Sequence, residues 1–164
     1  MIDRVKLNII KSNKNSKIIV SACLAGENCR YDGKNCLNKD IKKLVDAGKA
    51  IPVCPEVLGG LPVPRIPAEI TVCDGSEKII NRHGEDITEF FKRGAEKTLD
   101  IAKENEVMFA ILKSRSPSCG NGEIYDGTFG GKLTKGDGIT AIKLKEAGIP
   151  VISDEDFDCV INSV

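Results

Sequence analysis

Apolar residues in this chain fall into short unbroken runs separated by segments of helical period. The runs Ile18-Ile19-Val20, Ile51-Pro52-Val53, Phe109-Ala110-Ile111-Leu112 and Ile149 to Ile152 are too short for helices and carry the β-branched residues of buried strands. They predict strands over 17–21, 50–54, 107–112 and 149–152. Between the first two, Ile41, Leu44 and Val45 share one helical face, and Gly48 supplies a stop, so a helix is expected over 38–47. Phe90, Phe91, Ala95, Leu99 and Ala102 mark the longest amphipathic helix, with Asp86 or Thr88 as its cap. Residues 139–147, stopped by Gly148, and 154–161 read as two more helices. Ile70–Val72 and Lys78–Ile80, joined by Asp74-Gly75, read as a hairpin. The glycine- and proline-rich stretch 59–67 excludes regular structure, and 114–136 is too long to be a mere connection. Alternating strands and helices predict an α/β fold. The expected architecture is a single Rossmann-like three-layer domain over 17–164, with a mainly parallel sheet and a small β-hairpin insertion. Residues 1–16 are polar and read as a flexible lead-in.

Parallel strands place their C-terminal ends on one rim, where open α/β sheets bind ligands. Cys23, Cys54 and Cys119 each follow a predicted strand, so the fold is expected to bring these three distant thiols together. The chain holds seven cysteines in 164 residues and no C-x-x-C. A metal site must therefore be assembled by the fold and not by a local knuckle. Three thiolates favour zinc or an iron–sulfur cluster over hard cations and leave one coordination position open. Cys29 lies in the same turn as Cys23 and reads as an accessory ligand or redox partner; Cys36, Cys73 and Cys159 read as ordinary thiols.

Glu56, two residues after Cys54, is placed to share its pocket if the chain there is extended, as a proton acceptor for an attacking water. Ser116 and Ser118 can hydrogen-bond a ligand or cap a turn. Arg65 and Glu69 suggest an internal ion pair. Tyr31-Asp32-Gly33 and Tyr125-Asp126-Gly127 read as structural turns, and His83, the single histidine, lies in a polar turn. Neither a G-x-G-x-x-G fingerprint nor a Walker A loop is present. The 24 basic and 24 acidic residues balance, which argues against an extended nucleic-acid or membrane footprint. No apolar stretch approaches the roughly 20 residues of a membrane span, and the first residues lack the apolar core of a secretion signal. A cytoplasmic location is expected.

Three longer motifs carry a family resemblance. Ser21-Ala22-Cys23-Leu24-Ala25-Gly26 with Cys29-Arg30-Tyr31-Asp32-Gly33 is the first, and Pro52-Val53-Cys54-Pro55-Glu56-Val57-Leu58-Gly59-Gly60-Leu61-Pro62, running on to Glu69, is the second. Ser116-Pro117-Ser118-Cys119-Gly120 followed by Ile124 to Phe129 is the third. Together they resemble a bacterial and archaeal family long designated a domain of unknown function, whose characterised members are thiouracil desulfidases. The resemblance runs from Lys17 to about Ile152. It implies a [4Fe–4S] cluster bound by Cys23, Cys54 and Cys119, with the fourth iron open to the sulfur of a thiocarbonyl substrate. It also matches Glu56 to the family's acidic position and Ser116 to its serine near the cluster. Some relatives carry an additional domain and act on thiolated uridine in RNA; without that extension, a small thiolated substrate such as thiouracil is expected. Two other functions fit the residues: a non-catalytic iron–sulfur or redox-sensing module with Cys29 as fourth ligand, and a zinc protein.

Overall fold

The structure, a computed structural model, describes residues 4–162. The polar lead-in contains a helix, α1 (Arg4–Ser12), whose Leu7 is buried in the core. The first strand, β1 (Ile18–Ser21), runs directly into a 3-10 turn, Ala22–Ala25, closed by Gly26 in the left-handed region at φ 94°. Helix α2 (Lys39–Asp46) starts where Asn38 Oδ1 accepts the amides of Asp40 and Ile41, at 3.0 and 3.2 Å. Then follow β2 (Ala50–Val53) and a single helical turn, α3 (Pro55–Leu58), with proline at the first helical position.

The hairpin forms as β3 (Ala68–Cys73) and β4 (Ser76–Asn81). Its turn residues Asp74 and Gly75 both have positive φ, 50° and 78°, the left-handed pair that suits a tight Asp-Gly hairpin. Helix α4 (Thr88–Glu104) begins beyond Asp86, whose carboxylate accepts the Thr88 amide at 3.0 Å. Those Thr88 bonds hold the Asp86 carboxyl below its ordinary range. Strand β5 (Ala110–Leu112) is shorter than the periodicity predicts. Within the stretch expected to be loop, β6 (Glu123–Tyr125) and β7 (Leu133–Lys135) pair as a second small hairpin. Helix α5 (Ile139–Glu146), strand β8 (Val151–Ser153) and helix α6 (Asp154–Asn162) complete the described chain.

The four main strands form one all-parallel sheet in the order β2-β1-β5-β8. Alternate residues serve opposite faces. Ile18, Val20 and Ile111 pack with Leu7, Ile41, Leu44 and Phe157 on one side, bringing in α1, α2 and α6. Ile19, Ala110 and Leu112 pack with Ala102, Ala141 and Leu144 on the other, bringing in α4 and α5. This is the expected three-layer α/β architecture.

Helices α3 and α4 touch backbone to backbone. A Cβ on Gly94 would lie 1.9 Å from the Pro55 carbonyl oxygen, and one on Gly59 the same distance from that of Phe90. Neither obstacle is a flexible side chain, so the contact requires glycine both within α4 and directly after α3. Gly94→Ala is expected to cost about 1–3 kcal/mol of overpacking. Thermal unfolding checks this as a Tm lowered by roughly 3–10 °C, and an unchanged Tm would mean that α3 can shift without penalty.

Candidate functional site

The sheet order places a topological switch between β1 and β5. The chain leaves β1 towards α2 on one face and leaves β5 towards α5 on the other, so a crevice opens at their C-terminal ends. A cavity of about 580 Å³ occupies this rim. Cys23, Cys29, Cys36, Cys54 and Cys119 all line it.

Each thiol reaches the cavity by a different route. Cys23 lies in the 3-10 turn after β1 and is buried against the α2 side of the core. Cys54 is the N-cap residue of α3. Cys119, buried in the core of the opposite face, follows β5 by seven residues and is held by a turn. In that turn Ser116 Oγ accepts the amides of Ser118 and Cys119, both at 3.1 Å. Its carbonyls are tied to the start of α5: Ile139 and Thr140 donate to Pro117 and Ser118, each at 2.9 Å. A Cβ on Gly138 would stand 2.4 Å from the Ser118 carbonyl carbon, so α5 seats directly on the Cys119 turn.

Cys54 Sγ donates to the Cys29 carbonyl at 3.7 Å, and the Cys29 thiol lies close enough to Cys23 and Cys54 to feel both. Its pKa is pushed up to about 12, first by the Cys23 contact and then by burial. Cys54 is raised further by Cys29 and by burial, and Cys119 is raised to about 12 by burial above all. Burial of these thiols disfavours the free thiolate, and a soft metal centre that binds thiolate would offset that cost.

Glu56 also faces the cavity, but not for the reason its spacing suggests. The chain after Cys54 is helical, and Glu56 occupies the first turn of α3. Its Oε2 pairs with Arg65 Nη2 at 3.2 Å and lies 3.5 Å from Ser118 Oγ. Ser118 Oγ is in turn 2.9 Å from Ser116 Oγ and 3.6 Å from Cys119 Sγ. A continuous polar chain thus runs from the carboxylate to the turn that holds Cys119. The expected Arg65–Glu69 pair is not made, because Arg65 turns to Glu56.

Glu69 has a different task. Its buried carboxylate accepts the amides of Gly127 and Phe129 at 3.1 and 3.2 Å, fixing the loop after β6 as a cavity wall. Phe129 is held there at a left-handed φ of 56°, with the Arg82 guanidinium 5.5 Å from its ring centre. Glu69→Gln is expected to weaken these charge-assisted bonds by about 1.5 kcal/mol. Amide exchange at Gly127 and Phe129 should then accelerate by roughly tenfold, with the β1 and β5 amides unchanged.

The sequence-predicted residues Cys23, Cys54, Cys119, Glu56 and Ser116 all line this one cavity. Cys29 joins them, and so does Cys36, which accepts a hydrogen bond from Arg30 Nη1 at 2.9 Å. The two Tyr-Asp-Gly segments are turns, with Asp32 and Asp126 each accepting an amide two residues on, at 3.0 Å. Their tyrosines, Tyr31 and Tyr125, line the cavity. Sequence reasoning missed the cavity roles of Arg65, Arg82, Phe129 and Ser21. Only the glycine-rich length of 114–136 hinted at the Phe129 wall.

The donor set fits an iron–sulfur cluster. The cavity thiols are soft, and Cys23 and Cys119 are buried; every cysteine is free of disulfide. Five basic side chains line the cavity against the two carboxylates Glu56 and Glu69, a balance suited to a centre made anionic by its thiolates. Among the described residues no three His, Cys, Asp or Glu side chains close in on a single metal ion.

Fold and site together define a class: an α/β protein with a thiol-lined centre at the switch point of a parallel sheet. Residues 18–156 match the 2-thiouracil desulfurase family, and the chain belongs to that family. Among solved structures it is similar to TudS, described as a [4Fe-4S]-dependent thiouracil desulfidase. The match has a TM-score of 0.80 and 42% identity, covering 89% of this chain and 95% of that one. It is also 49% identical over 150 residues to YbbK, an uncharacterised protein of Bacillus subtilis strain 168, across 88% of this chain and 99% of the relative.

Proposed function

We propose that this protein is a [4Fe–4S]-dependent desulfidase that removes sulfur from a small thiocarbonyl compound of the thiouracil type. The single observation that carries this reading is the gathering of thiols and an arginine-paired carboxylate in one cavity, in a chain of this family. Cys23, Cys54 and Cys119 would hold the cluster. When bound, it supplies Lewis acidity that polarises the C=S carbon and stabilises sulfur as it leaves.

The protein's own residues supply the rest. Water adds to the thiocarbonyl carbon and Glu56 accepts its proton. The oxygen stays on carbon, the C–S bond breaks, and sulfur departs as hydrogen sulfide with both protons of the water. No net electron transfer occurs. Ser116 keeps the Cys119 turn in register and, through Ser118, belongs to the polar chain that ends on Glu56. Tyr31, Tyr125 and Phe129 offer apolar faces to a flat heterocycle. Among the described residues no helix is long and apolar enough to cross a membrane, which accords with a cytoplasmic enzyme acting on a diffusible substrate.

A second reading has one observation in its favour. Cys29 lines the same cavity as Cys23 and Cys54, and its carbonyl accepts Cys54 Sγ at 3.7 Å; that placement suits a fourth ligand, which would make the centre a closed, non-catalytic one.

Purification without oxygen, followed by iron and acid-labile sulfide analysis, tests the cofactor. Incubation with 2-thiouracil, with sulfide and uracil measured together, tests the reaction. Stoichiometric release of both is expected. A fully loaded protein that releases neither is the non-catalytic module, and zinc without iron rejects the cluster.

A further inference from the structure

Glu56 stands in an asymmetric setting. Its Oε2 receives Arg65 Nη2 at 3.2 Å and lies 3.5 Å from Ser118 Oγ. Its Oε1 has no hydrogen-bond partner among the described residues. Arg65 is the more buried of the pair, its side chain 6% exposed against 18% for Glu56. Its guanidinium is fixed from a second side, where Nη1 donates to the Pro62 carbonyl at 3.3 Å. Its own amide donates to the Tyr31 carbonyl at 2.8 Å. The arginine therefore reaches Glu56 from a position that its own amide anchors to the Tyr31 segment, outside α3.

Stability does not explain this pair. A buried ion pair contributes little net folding energy once desolvation is counted. Helix α3 already has an anchor in its glycine contact with α4 and in Arg93 Nη1, which donates to the Gly59 carbonyl at 3.1 Å. Arg65 also keeps one buried donor, Nε, without a partner, a cost that a purely structural residue would be expected to avoid.

We propose that Arg65 is the positioning residue of this enzyme: it holds Glu56 by Oε2 so that Oε1 alone meets the attacking water. The proposal rests on the reading of Glu56 as proton acceptor. Holding one carboxylate oxygen restricts the directions open to the other, and small misplacements of a catalytic group cost up to about 10²-fold in rate. Lysine in place of Arg65 keeps the charge but loses the flat two-sided fork that binds Glu56 and Pro62 together.

The test is a double-mutant cycle in the cluster-loaded protein, combining Arg65→Lys and Arg65→Met with Glu56→Gln. Arg65→Lys is expected to lower kcat by about tenfold and Arg65→Met by about 10²-fold. KM for 2-thiouracil and the iron content should stay within about twofold of the parent. In the Glu56→Gln background neither change should lower kcat further. Additive losses in that background overturn the proposal, as do parallel losses of iron and activity in both arginine variants. Infrared spectra of the metal-free protein give a second readout. The carboxylate band that vanishes in Glu56→Gln should shift in Arg65→Lys; an unshifted band overturns the proposal. If the parent releases no sulfide from thiouracil, the functional reading fails while the infrared result still decides the Arg65–Glu56 pair. If Glu56→Gln is fully active, the proton-acceptor reading falls and takes the proposal with it.

Discussion

Cys23→Ser is expected to lose both iron and sulfide release, whereas Cys29→Ser keeps both. Cys23 is buried in a 3-10 turn that the end of β1 and the left-handed Gly26 hold rigid. A serine hydroxyl there is a poor donor to iron, and the site would lose one of the three thiolates proposed to hold the cluster. Cys29 sits further along the loop, half-buried, and approaches the site through contacts to Cys23 and Cys54. A fourth thiolate on the cluster would occupy the position that substrate sulfur needs. The measurement is iron content and sulfide release for both variants, prepared without oxygen. Loss of the cluster in Cys29→Ser with retention in Cys23→Ser would reverse the ligand assignment. Higher activity in Cys29→Ser would identify Cys29 as a reversible cap on the open iron.

The second large effect is expected at Glu56. Glu56→Gln preserves volume and removes the basic oxygen, so kcat should fall by about 10²–10⁴, the usual contribution of a general base. Iron content should not change, because the carboxylate is proposed as a proton acceptor and not as a ligand. The loss should be larger than for Ser118→Ala, since Ser118 lies 3.5 Å from Glu56 Oε2 and serves it only as a secondary partner. A cluster-loaded Glu56→Gln variant with parental kcat would falsify the role.

Much of the scaffold was legible from local pattern. Four buried strands, the Asp74-Gly75 hairpin, the helix after Asn38 and the helix ending before Gly148 are each written within a few adjacent residues. Helix α1 was not legible, because five of its nine residues are polar and its burial of Leu7 against the sheet is a tertiary contact. The short strands β6 and β7 were also hidden: three residues each give no alternation to read.

The sequence by itself determined that the chain is a parallel α/β domain and that Cys23, Cys54 and Cys119 belong to one rim. The reason is that short-range periodicity and turn chemistry mark the strands and helices, and their alternation runs the strands in one direction with their C-terminal ends on one rim. Only the tertiary structure decided what surrounds those thiols. Glu56 faces the cavity because α3 is helical and pressed against α4, which Gly94 within α4 and Gly59 directly after α3 permit. Arg65 chooses Glu56 over Glu69, and Glu69 instead clamps a loop 58 to 60 residues away. Cys36 reaches the cavity through its bond with Arg30. These contacts join residues whose separation along the chain carries no periodic signal, so they exist only once the sheet and its two helical layers have closed around them.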